Sequence, residues 1–349
     1  MRRTLLVSLA ILAHIVLVAA PGRATDASDR LDRFRTLAAT RLTLAEVTDP
    51  ARAGEAYREI FALLDDEVVE NLASGDVFAS PAFLQDRLDA FAEAWGGASL
   101  RIARIGRLTV GAFQVSEGAG SSSVRVYGAP RGEAQLIAAM QREGRPGLYE
   151  LPPAAAGPQF LVVWEGLLTG RGTRALRFDL VRQRGDDIAI VWSTAELFPD
   201  GLMAREYRVR GGEVRIRYEL HYPGWIPGCD QQTEQEDVYR LASDAGTFVR
   251  VARRQYNAWH LALHRSVAGL LEALAAGNRA ALTTLVPDAQ LRQKLPARLE
   301  RELACDAPDG ANPAAVSVAA SAGDLGPWAL TFHRSGGQWR LTAATPVLQ

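Results

Sequence analysis

The chain has 349 residues, 48% of them apolar, with 39 basic and 40 acidic side chains and only two cysteines. A chain of this size can bury one large core or two to three modest ones, and without a basic excess it lacks the electrostatic footprint of a nucleic-acid-binding protein. Lys294 is the only lysine, which excludes a P-loop lysine, a Schiff-base lysine or a Ser-Lys dyad anywhere else in the chain.

Residues 1–24 read as a secretory signal peptide. Arg2 and Arg3 form a positive start, and the apolar run from Leu5 to Ala20 is too short, and too promptly ended by Pro21-Gly22, for a comfortable membrane span. Gly22 and Ala24 supply the small residues that cleavage after Ala24 requires, and the aliphatic core favours the general secretory route over the twin-arginine one. The expectation is a secreted or periplasmic protein, mildly acidic once Arg2, Arg3 and Arg23 are removed, with no transmembrane segment in the mature chain. No cysteine lies near the leader to carry a lipid. In an oxidising compartment Cys229 and Cys305 are most simply one disulfide, the alternative being two buried thiols acting as small apolar residues.

The region 25–97 has helical periodicity. Leu31, Phe34 and Ala38 begin one amphipathic helix. A second starts with Asp49 as cap and Pro50 at the first helical position, and keeps the stripe Tyr57, Ile60, Phe61, Leu64, Val68, Leu72 until Gly75. Its acidic residues Asp65, Asp66, Glu67 and Glu70 are expected on a solvated face. A third helix is capped by Ser80, opened by Pro81, lined by Leu84, Leu88, Phe91 and Trp95, and stopped by Gly96-Gly97.

From 98 to 256 the period is two. Strands are expected over Leu100–Ile105, Thr109–Val115, Ser123–Tyr127, Phe160–Leu168, Arg174–Val181, Asp187–Ser193, Met203–Arg210, Glu213–Tyr222, Gln235–Leu241 and Thr247–Arg254, with turn signals between several of them. Short links force antiparallel pairing, hence a meander or barrel-like sheet. Pro152–Pro158 is a loop and a possible seam between two sheets, and Glu133–Gln141 suits either strand or helix. Gly118-Ala119-Gly120 lies between two strands with no helix N-terminus behind it, so it predicts a hairpin and not a phosphate cradle.

Helical spacing returns over 257–349, with Leu263, Val267, Leu270, Leu271 and Leu274 in one stripe and Gly277 as its stop. A loop from Asp306 to Pro313 then precedes strands at Ala315–Ala319, Trp328–Phe332 and Gln338–Ala343. Leu271-Glu272-Ala273-Leu274, Gly277-Asn278, Ala281-Leu282, Leu285-Val286 and the closing Trp339-Arg340-Leu341 resemble the start and end of an NTF2-like domain. The resemblance implies a cone-shaped unit of a kind that hosts enzymes, ligand pockets and dimerisation modules alike. The whole is therefore expected to be α+β, with N-terminal helices, a central antiparallel sheet and a small C-terminal α+β unit.

Chemistry-bearing residues are sparse. No Gly-x-Ser-x-Gly elbow is present and no catalytic residue is assigned. His260 and His264 stand at i, i+4 and make a weak metal candidate. Leu261 occupies the place of a metalloprotease glutamate, and no third ligand lies on the same helix, so neither metal nor cofactor is expected. A two-residue turn at Gly211-Gly212 buries Tyr207, Val209, Val214 and Ile216, and sets Arg208 opposite Arg215 and Glu206 opposite Arg217. The opposed guanidinium groups need relief, from a carboxylate on the next strand, Asp179 for example, or from a bound anion. Arg208, Arg215, Arg217, His221 and Trp225 are the ligand-binding candidates, and the rigid loop from His221 to Asp230 is a pocket wall or an interdomain clasp. The sequence thus reads as an exported, non-enzymatic binding or envelope-associated assembly protein with an unidentified ligand or protein partner. The alternative is an exported hydrolase at the junction of the sheet and the C-terminal unit, with His221, His260 or His264 as base.

Overall fold

The computed structural model describes residues 27–40, 50–242, 246–323 and 326–347. The segment expected to be a signal peptide and the expected cap at Asp49 lie outside the described residues. Three helices come first: α1 (Ala27–Thr40), α2 (Pro50–Ser74) and α3 (Pro81–Trp95). Ser80 Oγ accepts from the Phe83 amide, and Gly96 adopts the left-handed conformation that ends α3. The apolar faces of α1, α2 and α3 meet Leu100, Phe113 and Tyr127 of the sheet that follows.

That sheet is a four-stranded meander of β1 (Ser99–Ile105), β2 (Leu108–Gln114), β3 (Ser122–Gly128) and β4 (Gln135–Gln141). The segment that suited either strand or helix is therefore a strand. Of the acidic residues of α2, Asp66 and Glu70 are exposed as expected, but Asp65 and Glu67 are not on a solvated face. Glu67 is buried and binds Arg30 of α1, Arg87 of α3 and the Asn71 amide, and Asp65 accepts from Arg125 and Tyr127 of β3. Arginines arriving from three neighbouring elements allow the carboxylates to sit inside.

A second antiparallel sheet contains β5 (Arg145–Glu150), β6 (Gln159–Leu168), β7 (Arg174–Arg184), β8 (Asp187–Ser193), β9 (Leu202–Arg210), β10 (Glu213–Glu219), β11 (Glu234–Leu241) and β12 (Phe248–Tyr256). Its order is β12-β11-β10-β9-β7-β6-β5, with β8 on β7. The seam between the sheets falls between β4 and β5, and Pro152–Pro158 links two strands of the same sheet. Phe160, Val162 and Trp164 of β6 pack on Val110, Val124 and Val126 of the first sheet, while Leu161 and Val163 face the other way. Burial on both faces explains why this strand is continuously apolar rather than alternating.

The second sheet curls around the core on that other face. Trp192 of β8 lies 5.7 Å from Tyr239 of β11 and 5.0 Å from Phe248 of β12 between ring centres, although β7, β9 and β10 intervene in strand order. The Arg182 guanidinium of β7 donates to the Gly246 carbonyl in the β11–β12 connection, a second link across the curl.

The C-terminal unit packs α4 (Ala258–Ala275), α5 (Arg279–Leu285) and α6 (Ala289–Lys294) on a sheet of β13 (Glu300–Arg301), β14 (Ala307–Pro308), β15 (Ala315–Ser321), β16 (Pro327–Ser335) and β17 (Gln338–Pro346). Its core joins Leu263, Val267 and Leu270 to Val316, Leu330, Phe332 and Leu341. The fold is α+β throughout. Cys229, after β10, is bonded to Cys305 in this unit. Among the described residues no helix is long and apolar enough to cross a membrane.

Candidate functional site

The β9–β10 hairpin has the register set by its two-residue turn. Val209 faces Val214, Tyr207 faces Ile216, Arg208 faces Arg215 and Glu206 faces Arg217. Gly211 and Gly212 both have positive φ, 53° and 85°, as a twist-compatible two-residue hairpin turn requires. The relief of Arg215 comes from carboxylates. Its guanidinium lies 3.3 Å from Glu213 and 3.7 Å from Glu236, on the neighbouring strand β11. Asp179 is not involved; it is fully buried and accepts from Trp164, Arg177 and Ser193. Arg217 is held by Glu234 and stands 4.0 Å over the Tyr256 ring.

Arg208, Arg215 and Arg217 share one polar groove with Glu206, Tyr207, Arg210, Glu213 and Glu236. His221 and Trp225 are not part of it. They lie beyond the opposite end of β10, where the two rings stack at 4.0 Å, His221 Nε2 approaches Glu219 at 3.6 Å and Arg171 lies over the indole.

The groove shares Arg210 and Glu213 with a larger cavity of about 690 Å³ at one end of the curled sheet. Its walls include Pro152, Pro153, Ala154 and Ala155 from the β5–β6 loop and Leu241 and Ala242 from the end of β11. Arg240 pairs with Glu213 at 3.0 Å. Arg208 and Arg210 make no ion pair among the described residues. Sequence reading missed this mouth because its walls come from three separate connections, and Arg210 sits at the edge of the turn. Only the i, i+2 repeat of arginines on β9 signals it.

A second cluster lies where α4 meets the loop after β10. Asn257 begins α4 without a side-chain cap. Thr233 takes that role from outside the helix: its hydroxyl donates to the Asn257 carbonyl at 2.7 Å and accepts from the Leu261 amide at 3.0 Å. The first two turns then direct His260 and His264, both buried, toward Asp306. His260 Nε2 is 3.0 Å and His264 Nε2 2.6 Å from Asp306 Oδ2. Tyr222 Oη accepts from the Thr233 amide and stands 2.6 Å from His260 Nδ1, and Arg301 Nη1 stands 3.3 Å from His264 Nδ1.

Donor accounting assigns the tautomers. Guanidinium only donates, and the Tyr222 proton has His260 as its acceptor, so each Nδ1 accepts and each Nε2–H donates to Asp306. Burial pushes the His264 pKa below its ordinary value, against the opposing effect of Asp306. Burial pushes the Asp306 carboxyl up, but the hydrogen bonds from His260 and His264 outweigh it and hold the group below its ordinary value. No serine, threonine or cysteine nucleophile contacts either imidazole in these hydrogen bonds. Neither the mouth cavity nor the groove is lined by a histidine.

The two Nε2 atoms and a carboxylate oxygen lie within 4.8 Å of one another, and this is the one group of three such ligands among the described residues. Sequence spacing showed the two histidines but missed Asp306, Tyr222 and Arg301. The available signal was the adjacency of Asp306 to Cys305, whose partner follows Tyr222 by seven residues. The chain matches no protein-family model, no curated protein and no solved structure.

Proposed function

We propose that this is an exported, non-enzymatic binding protein, and that its ligand is a small amphipathic anion held at the mouth of the curled sheet. The apolar part of the ligand lies against Pro152, Pro153, Ala154, Ala155 and Leu241, and its anionic group meets Arg210, with Arg208 two residues away on the same strand face. The continuity of the mouth with the groove through Arg210 supports this reading. A cavity of that volume suits a small organic ligand, and the open ends of curled antiparallel sheets are frequent binding sites. The Cys229–Cys305 bridge supports the export half of the proposal. The C-terminal unit is read as an NTF2-like module, on its packing of helices against a short antiparallel sheet, and it serves the binding protein as an attached assembly or support unit.

Octanoate, octanol and inorganic phosphate probe the mouth in a thermal-shift series. Octanoate should raise the melting temperature more than either of the others, and Arg210→Gln should reduce its effect to that of octanol. No stabilisation by octanoate, or the same stabilisation in Arg210→Gln, rejects the proposed ligand class.

A further inference from the structure

We propose that His260 Nε2, His264 Nε2 and Asp306 Oδ2 form a binding site for a divalent transition-metal ion of zinc type. Imidazole with carboxylate is a zinc donor set, and two histidines at i, i+4 on one helix with a carboxylate from a separate segment is a common way to assemble it. Hard ions such as calcium and magnesium prefer all-oxygen ligands, so the two nitrogens select against them. All three donors already converge inside the protein, with side-chain exposures of 4%, 1% and 6%. The disulfide at Cys305 fixes the chain immediately before Asp306.

Binding requires one change of protonation pattern. Each Nε2 gives up its hydrogen to become a ligand, and neutral imidazole then carries its proton on Nδ1. At His260 the new Nδ1–H faces the Tyr222 oxygen, which has acceptor capacity, so Tyr222 becomes the outer partner that orients a metal-bound histidine. At His264 the new Nδ1–H faces Arg301 Nη1, another donor, and this contact must break. Arg301 is suited to release it. It holds His264 by a single 3.3 Å contact, its Nε is buried without a hydrogen-bond partner, and it pairs with no carboxylate among the described residues.

Arg301 therefore acts as a competitor of the metal. In the metal-free protein it fixes the tautomer that directs His264 Nε2–H at Asp306, as Tyr222 does for His260, and bound metal displaces it. The metal would join α4 to the segment pinned by the disulfide, with one position left for a ligand from solvent.

The test is competitive titration of the chelator-treated full-length protein with zinc against a chromophoric chelator. One equivalent should bind, and cobalt should give the visible absorption of a low-coordinate site with nitrogen ligands. His264→Gln and Asp306→Asn should weaken zinc binding at least about a hundredfold, whereas the double variant His221→Gln/His333→Gln, at two exposed histidines, should leave it unchanged. Arg301→Gln should tighten it, which a purely structural network does not predict. Calcium and magnesium should not compete. Less than one equivalent bound by the wild type at micromolar zinc overturns the proposal without recourse to any variant. So does zinc retained by His264→Gln, or zinc lost on replacing His221 and His333.

Discussion

Gly224 has φ +111°, in the region that side chains rarely adopt, and a Cβ there would fall within the His264 imidazole. Two independent costs coincide at this position: left-handed backbone strain and overpacking against a rigid ring. Gly224→Ala should therefore lower stability by about 2–4 kcal/mol in urea unfolding, with loss of the tyrosine–histidine contact at Tyr222. A change below about 1 kcal/mol would mean that the loop moves away from His264 at little cost. The same residue-level logic explains the arginine pair on the hairpin. Opposed charges at Arg208 and Arg215 are tolerated because Glu213 and Glu236 reach Arg215 from two directions, so the pair needs no bound anion for its own stability. That leaves Arg208 and Arg210, rather than Arg215, as the cations available to a ligand.

At the level of elements, α4 depends on a cap that its own sequence does not contain. Asn257 occupies the cap position with φ 49° and no side-chain capping hydrogen bond, and Thr233 supplies both a donor and an acceptor from the end of another segment. Thr233→Val keeps the shape and removes both bonds in a fully buried setting, so it should cost about 1–2 kcal/mol. Hydrogen exchange should accelerate first at the amides of Leu261 and its neighbours; unchanged protection there would show that the cap is dispensable. Such a contact cannot be read along the chain, because its partners are 24 and 28 residues apart. The hairpin at Gly211-Gly212 was legible for the opposite reason, since a two-residue turn fixes every pairing that follows from it. Strand β5 escaped sequence reading because Pro146 and Gly147 argue against a strand interior. It forms at the edge of its sheet, where a missing amide hydrogen bond is tolerated. Glu67 and Asp65 escaped it because an acidic run on a helix looks the same whether it faces water or arginines from α1, α3 and β3.

Across the whole molecule, three layers stack in chain order: helices on the first sheet, the first sheet on the second, and the curled second sheet leading into the C-terminal unit. The first two junctions are apolar and continuous. The C-terminal unit has its own core, drawn from α4–α6 and its sheet, and its attachment to the second sheet uses polar and covalent contacts: Thr233 on α4, Tyr222 on His260, and the Cys229–Cys305 bond. That bond joins positions 76 residues apart, so on the chain-entropy account it restricts the unfolded state by on the order of 4 kcal/mol, an upper figure because native strain subtracts from it. Its loss should be unevenly felt. In Cys229→Ser/Cys305→Ser, hydrogen exchange should rise in the loop after β10, the first turn of α4 and the segment around Asp306, while β1–β3, packed between the helices and the second sheet, keep their protection. Global stability should fall by about 2–4 kcal/mol. A uniform loss of protection through all three layers would show that the bridge stabilises the molecule only through its unfolded state, and a fall below about 1 kcal/mol would show that Thr233 and the Tyr222–His260 contact hold the junction without it.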